Sequence, residues 1–391
     1  MLCVPVSYGD WMELKKNPQI NENYYRLKKA LDYYESLETR SWPVLSAFNF
    51  KKGAAYPEIP ELRERLRLTG DLPASSDAQS EVYDNALWQS VRSFQWRHGL
   101  KPDGVIGLRT QRELNVSPFE RAEEIRRNMQ RWAALPPTLG KRFIFINIPE
   151  YRLDLIEDGK SVLHMKIIVG KPDRPTPELS SVITRAELNP YWNIPPEIAK
   201  KDILPKILKD PHYLEEMNIK VVQHRKSQVL EVNSTNIDWQ GAYKNGFAYE
   251  FRQEPGENNS LGLVKFDFSN SYSIYMHDTP AKELFDRDNR TFSSGCIRLE
   301  KPFVLLSYLL QDNPQWNLQR IAETLQSGKL TIIKTKPFPI YIIYATAWID
   351  RQGILHFRSD PYGYNEDPNP NDYPEESLLS SPFSMPLSFY A

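Results

Sequence analysis

The hydrophobic period of this 391-residue chain changes at Arg142, and that change divides what it can fold into. Before it, apolar residues recur three and four apart, the spacing of one helix face. After it they alternate, the spacing of half-buried strands. A helical stretch followed by a strand-rich one predicts an α+β fold.

In the first part, Leu27, Leu31 and Tyr34 predict a helix over 21–38, broken by Ser41-Trp42-Pro43. Residues 58–115 read as a small helical module: Glu61–Leu68, a polar loop over Asp71–Ser80, then Asn85–Trp96 with Leu87, Val91 and Phe94 on one face. Gly99 suits a helix C′ position, Asp103-Gly104 a turn, and Thr110 is expected to cap a third short helix. Ser117-Pro118-Phe119-Glu120 combines an N-cap, a first-turn proline and a capping-box glutamate, and the helix it starts runs to about Ala134 as a rigid connector.

In the second part, Phe143–Ile148 predicts a buried strand. Tyr151, Leu153 and Leu155 alternate, Asp158-Gly159 turns the chain, and Leu163, Met165, Ile167 and Val169 alternate back, leaving His164 towards solvent. Ser181–Leu188 is a further strand. Residues 198–260 are more polar and mix a helical piece, Ile198–Lys209, with short strands, as an insertion over the sheet. Leu263–Phe268 and Ser273–Met276 are expected strands delivering His277. Helices Pro302–Leu310 and Leu318–Leu325, strands Leu330–Lys334 and Pro339–Trp348, and a turn at Asp350–Gly353 into Ile354–Phe357 follow. Beyond Glu366 the composition predicts disorder.

Forty-nine basic against fifty acidic side chains exclude the basic excess of a nucleic-acid binder. Gly170-Lys171-Pro172 lacks the spacing of a phosphate loop. No run of 18 apolar residues predicts a membrane span, and Met1–Val6 lacks the features of an export signal. The two cysteines, Cys3 and Cys296, allow neither a disulfide framework nor a metal knuckle, and no metal or cofactor is expected. A lone internal cysteine is a nucleophile or an inert core residue.

The surroundings of Cys296 favour the nucleophile. A thiol attacks as its thiolate and needs a base or a positive field nearby. His277, 19 residues earlier, ends a buried-type strand with Tyr275 on the same face. His98 belongs to the helical module, His212 and His224 to the insertion, and His356 to the C-terminal hairpin. In Ser293-Ser294-Gly295-Cys296, Gly295 permits a tight turn whose amides can face an oxyanion. Arg298, two residues on, suits a substrate carboxylate.

This stretch resembles the L,D-transpeptidase catalytic domain of the YkuD type, whose signature is a His followed by Ser-His-Gly-Cys and an Arg or Asn two residues on. His277, Ser293, Gly295, Cys296 and Arg298 match, and Ser294 stands where the second histidine usually does. Met276-His-Asp-Thr-Pro280 with Ser-Ser-Gly-Cys, Gly170–Pro177 and Asn189–Pro195 are similar to the long YcbB-like subgroup. Phe94-Gln95, Gly99-Leu100, Asp103-Gly104 and Gly107–Thr110 resemble a three-helix peptidoglycan-binding module.

The resemblance implies a mainly-β catalytic sheet or sandwich over 141–335 with a capping insertion at about 196–260. Before it come a remnant of a scaffold region (1–57), the module (58–116) and the connector (117–140); after it come C-terminal strands (336–365) and a tail (366–391). The subgroup begins with a membrane anchor and a longer scaffold, so a shortened N-terminus is expected, with a periplasmic location. The activity implied is 3→3 crosslinking. Cys296 would attack a tetrapeptide donor stem and release D-Ala, with His277 as base and then acid, and a diaminopimelate amine on a second stem as acceptor. Gly295 would supply an oxyanion amide, and Asp278 would orient His277 through its backbone or side chain. Arg298, Tyr275, Ser293, Ser294 and Trp192 would line the substrate site, with core packing or a surface salt bridge the alternative for Arg298, Tyr275 and Trp192. Expected partners are peptidoglycan stem peptides and other cell-wall synthesis enzymes. The competing readings are an L,D-carboxypeptidase using water and an inactive peptidoglycan-binding scaffold.

Overall fold

The computed structural model describes residues 22–46, 49–225, 228–245 and 249–365; the tail expected beyond Glu366 lies outside them. The chain forms two compact units. One comprises the chain up to Gly140, Asn147–Glu150 and the chain from Ile343; the other comprises Lys141–Ile146 and Tyr151–Ile342.

The first unit is helical. Helix α1 (Glu22–Leu37) buries Leu27, Ala30, Leu31, Tyr34 and Leu37. Helices α2 (Ile59–Leu68), α3 (Asn85–Arg97) and α4 (Leu108–Asn115) enclose a core of Leu62, Leu66, Leu87, Val91, Phe94 and Leu114. Asp84 caps α3 by accepting from Leu87 N at 2.8 Å. Thr110 does not cap α4. The extended Gly107 takes that position, and the buried Thr110 hydroxyl accepts instead from Gln95 Nε2 at 3.1 Å. Helix α5 (Pro118–Ala133) starts on the predicted capping box: Glu120 accepts from Ser117 N at 2.7 Å, and Ser117 Oγ from Glu120 N at 3.2 Å. A hairpin of Ala347–Ile349 and Leu355–Phe357 completes the unit.

The second unit is a mixed sheet. Its strands are β1 (Arg142–Asn147), β2 (Arg152–Glu157), β3 (Lys160–Gly170), β4 (Leu179–Leu188), β9 (Val264–Phe268), β10 (Met276–His277), β11 (Thr291–Ser293), β12 (Ile297–Leu299) and β13 (Thr331–Ile343); β5 to β8 belong to the insertion described below. The order is β11-β3-β12-β10-β9-β4-β13-β1-β2, and β2 pairs back onto β3, so the pairings close on themselves. Together with the helices of the first unit this is the α+β architecture expected. Alternation sorts the central strands by face. Ala186, Leu188, Val264, Phe266, Met276, Ile297 and Leu299 are buried. Their alternates Arg185, Glu187, Lys265, Asp267, His277 and Arg298 point the other way, as strand geometry requires. Helices α6 (Pro302–Leu310) and α7 (Leu318–Gln326) lie between β12 and β13, and α6 buries Leu305, Leu306 and Leu310.

Two strand expectations change. Only Met276–His277 of the approach to His277 is strand. Before it the chain is pinned by Asn270, whose Oδ1 accepts from Tyr272 N and Ile274 N, both at 3.0 Å. The separate strands at 330–334 and 339–348 are one 13-residue strand, β13, whose register shifts between Lys334 and Phe338. Pro337 lies inside that shift and lacks the N–H that an unbroken ladder requires.

The insertion has its own sheet, β5 (Trp192–Ile194), β8 (Glu250–Gln253), β6 (Ile219–Arg225) and β7 (Gln228–Val232), in that order. It also has its own core, including Ile194, Ile203, Leu204, Ile207, Val221 and Phe251. Its helical run over 196–209 widens to a π-turn at Ala199–Ile203. Pro205 follows, and the wider turn accommodates a proline that would otherwise break the helix.

Candidate active site

His277 comes from β10, which lies between β9 and β12. It pairs with Lys265 on one side and, in parallel, with Arg298 on the other. Ile297 N donates to Tyr275 O at 3.1 Å, which continues the parallel register and sets Tyr275 beside Cys296. Tyr275, His277, Cys296 and Arg298 therefore share one face of two adjacent strands.

The Asp278 carbonyl lies 2.5 Å from His277 Nδ1, with the Leu261 backbone also against the ring. A carbonyl only accepts, so Nδ1 carries the proton and Nε2 keeps its lone pair. Burial first, and then the Arg298 charge, hold His277 down to about 3, so the ring is neutral. The Asp278 carboxylate faces elsewhere: it accepts from Leu263 N at 3.0 Å and pairs with Lys282.

Cys296 occupies the turn between β11 and β12. Ser293 Oγ donates to Cys296 O at 2.5 Å and accepts from Gly295 N at 3.2 Å. The Gly295 amide is thus spent inside the turn, which corrects the expectation that it faces an oxyanion. The Cys296 amide has no acceptor among the described residues. Gly295 has φ +109°, and a Cβ there would sit 3.0 Å from Ile274 Cδ1, so the turn needs glycine. Burial pushes the half-buried thiol up to about 11, against the amide and hydroxyl of Tyr275 and the charges of Lys265 and Arg298. The Tyr275 ring centroid is 5.7 Å from that of His277, and the Trp192 indole donates to the Tyr275 hydroxyl. Arg298 makes no ion pair among the described residues, and its Nε is buried without a partner. Tyr275, His277, Cys296 and Arg298 thus lie on one face with Trp192 against Tyr275, whereas the Asp278 carboxylate, the Gly295 amide and the Ser293 hydroxyl are engaged elsewhere.

Sequence reasoning missed the loop after β3. A Cβ on Gly170 would lie 2.2 Å from Arg174 O, so only glycine lets the chain fold back. Thr176 Oγ1 then donates to Gly295 O at 2.7 Å. Arg174 Nη1 lies 2.9 Å from Ser294 Oγ and 2.5 Å from Asp202 Oδ2, in the π-turn of the insertion. Arg174 therefore ties the insertion to the Cys296 turn. The signal was the chain's own Gly-Lys-Pro-x-x-Pro-Thr-Pro stretch, in which Arg174 fills an unspecified position.

Residues 141–333 match the family described as the L,D-transpeptidase catalytic domain (YkuD), and residues 56–114 match one described as "Putative peptidoglycan binding domain". The chain thus carries an L,D-transpeptidase-family catalytic domain joined to a peptidoglycan-binding-type module. A "Putative L,D-transpeptidase" of Haemophilus influenzae is 36% identical over 295 residues, covering 74% of this chain. This chain spans 58% of the length of that relative. Among solved structures, the L,D-transpeptidase of Xylanimonas cellulosilytica aligns at 14% identity and TM-score 0.23, over 76% of this chain and 98% of its own. That of Stackebrandtia nassauensis aligns at 10% and 0.27, over 76% and 96%.

Proposed function

We propose that this protein is a cysteine L,D-transpeptidase that joins peptidoglycan stem peptides by 3→3 crosslinks. The observation that carries this reading is the shared face of Cys296, neutral His277, Tyr275 and the unpaired Arg298, within a domain of this family. Cys296 Sγ attacks the carbonyl of the third residue of a tetrapeptide donor while His277 Nε2 takes the thiol proton. The Cys296 amide, which has no acceptor among the described residues, and the Tyr275 hydroxyl would hold the oxyanion. Collapse expels D-Ala, whose amine takes the proton back from His277, and leaves a thioester. The side-chain amine of a diaminopimelate on a second stem attacks that thioester, gives its proton to His277 and releases the thiol. Arg298 holds a donor carboxylate, and Trp192 fixes Tyr275. The helical module would keep the enzyme on its polymer, which implies a periplasmic location, where other cell-wall synthesis enzymes also act.

A carbapenem, as a donor mimic, is expected to add its mass to the protein and not to Cys296→Ala. Incubation with tetrapeptide stems is expected to give crosslinked dimers. Tripeptides alone would mean a carboxypeptidase, and sacculus binding without turnover would mean a scaffold. Arg174→Met releases Ser294 and the insertion together. It is expected to slow carbapenem acylation about tenfold, which is ~1.4 kcal/mol of barrier; an unchanged rate would show that the tie is not needed.

A further inference from the structure

The polar face of the sheet does not stop at the proposed nucleophile and base. Strand β4 pairs with β9 so that Arg185 faces Asp267 and Glu187 faces Lys265. The register shift between Ile183 and Arg185 sets that alignment. One row across four strands then reads Glu187, Lys265, His277, Arg298. The adjacent row, continued from the same registers, reads Arg185, Asp267, Tyr275, Cys296. Every titratable group facing the sulfur from these strands is in one of the two rows.

Lys265 sits where the charged half meets the reactive half. Its Nζ is 2.8 Å from Asp267 Oδ1, 3.5 Å from Glu187 Oε2 and 4.7 Å from the Tyr275 ring centroid. The outer end is closed by Arg185 Nε on Asp267 Oδ2 at 2.7 Å. The Lys265, Glu187 and Asp267 side chains are largely buried, whereas that of Arg185 is half-exposed. Burial of a lysine beside an aromatic face, two strands from a thiol, needs a reason beyond solubility.

We propose that Lys265 is a positioning residue for the nucleophile: held by Asp267 and Glu187, its ammonium seats the Tyr275 ring and supplies the positive field that favours the Cys296 thiolate. Two observations agree. Burial and its hydrogen bond to Asp267 raise Glu187, while Lys265, Glu187 and Arg185 hold Asp267 low against its own burial. The Lys265 charge itself lowers the thiol, against the burial that raises it.

The inference rests on Cys296 being the nucleophile, and its test reads the sulfur alone. The rate of Cys296 alkylation by iodoacetamide is measured from pH 6 to 10 in the full chain, in Lys265→Met, Lys265→Arg and Asp267→Asn. Below the thiol's inflection the rate falls tenfold for each pH unit that the inflection rises. Lys265→Met is expected to lower the rate about tenfold, and Lys265→Arg to stay within about twofold of the parent. Asp267→Asn removes a negative neighbour and is expected to raise it several-fold. A merely structural cluster would move Lys265→Met and Asp267→Asn in the same direction, and that result, or no change in either, overturns the proposal. If Lys265→Met does not fold, a folded Asp267→Asn with an unchanged or lowered rate overturns it alone. Carbapenem acylation of the parent protein separates the two readings: its absence alongside the expected alkylation order would sink the proposed function and leave the role of Lys265 standing.

Discussion

His277→Ala is expected to slow acylation of Cys296 by a carbapenem about 10²- to 10⁴-fold at pH 7.5, the usual contribution of a positioned base. The sulfur, pushed up to about 11, is protonated at that pH, so attack requires a group to take the proton. Asp267 and Glu187 on that face are engaged by Arg185 and Lys265, and its other groups cannot take the proton. Arg298 and Lys265 are cations, and burial holds the Tyr275 hydroxyl far above neutrality. His277 offers a lone pair, because the Asp278 carbonyl fixes the proton on Nδ1 and burial keeps the ring neutral. The check is the rate of mass gain against carbapenem concentration, compared with iodoacetamide alkylation at pH 10. There hydroxide replaces the base, and the variant should approach the parent. Acylation within tenfold of the parent at pH 7.5 would mean that the base lies elsewhere.

The same strands explain what the sequence allowed to be read and what it hid. Period-two alternation places Cys296 with Arg298 and Tyr275 with His277, because each pair lies two residues apart on one strand. That is local information. Whether the two pairs share a face depends on the parallel register of β10 with β12, which no local pattern fixes. Glu187 and Lys265 are 78 residues apart and meet only through the β4–β9 ladder, so their charges look in sequence like an ordinary solvated strand face. Arg174 was hidden for another reason: its partners are Ser294 and Asp202, and the latter is displayed by a π-turn that helical periodicity does not predict. The Gly295 amide was misread because Ser293, expected to meet substrate, instead occupies that amide. The capping box of α5 was legible in full, since all its partners lie within four residues.

Opposite pH profiles are expected for two reactions of the same sulfur. Alkylation by iodoacetamide consumes thiolate, and with the thiol at about 11 it should rise about tenfold per pH unit, or about 10³-fold from pH 7 to 10. Acylation by a carbapenem consumes a neutral thiol beside a neutral imidazole, and should be nearly flat from pH 6 to 9. The sign follows from His277. An ordinary histidine gains a proton below about 6.5 and would switch the base off there. Held at about 3, His277 stays neutral and competent well below that point. A preformed thiolate–imidazolium pair would give the reverse: alkylation flat through neutrality and acylation bell-shaped. Stability has to be tracked in the same scan. His98, His277 and His356 are all held below their ordinary range by burial, so unfolding lets each take a proton once the pH drops below about 6.5. The stability these neutral rings contribute is complete above 6.5 and lost progressively as pH falls towards their folded values. A thermal midpoint at each pH therefore separates a loss of fold from a loss of base. Acylation that falls near pH 6 while the midpoint holds would show that His277 titrates in its ordinary range and that the resting pair is ionic.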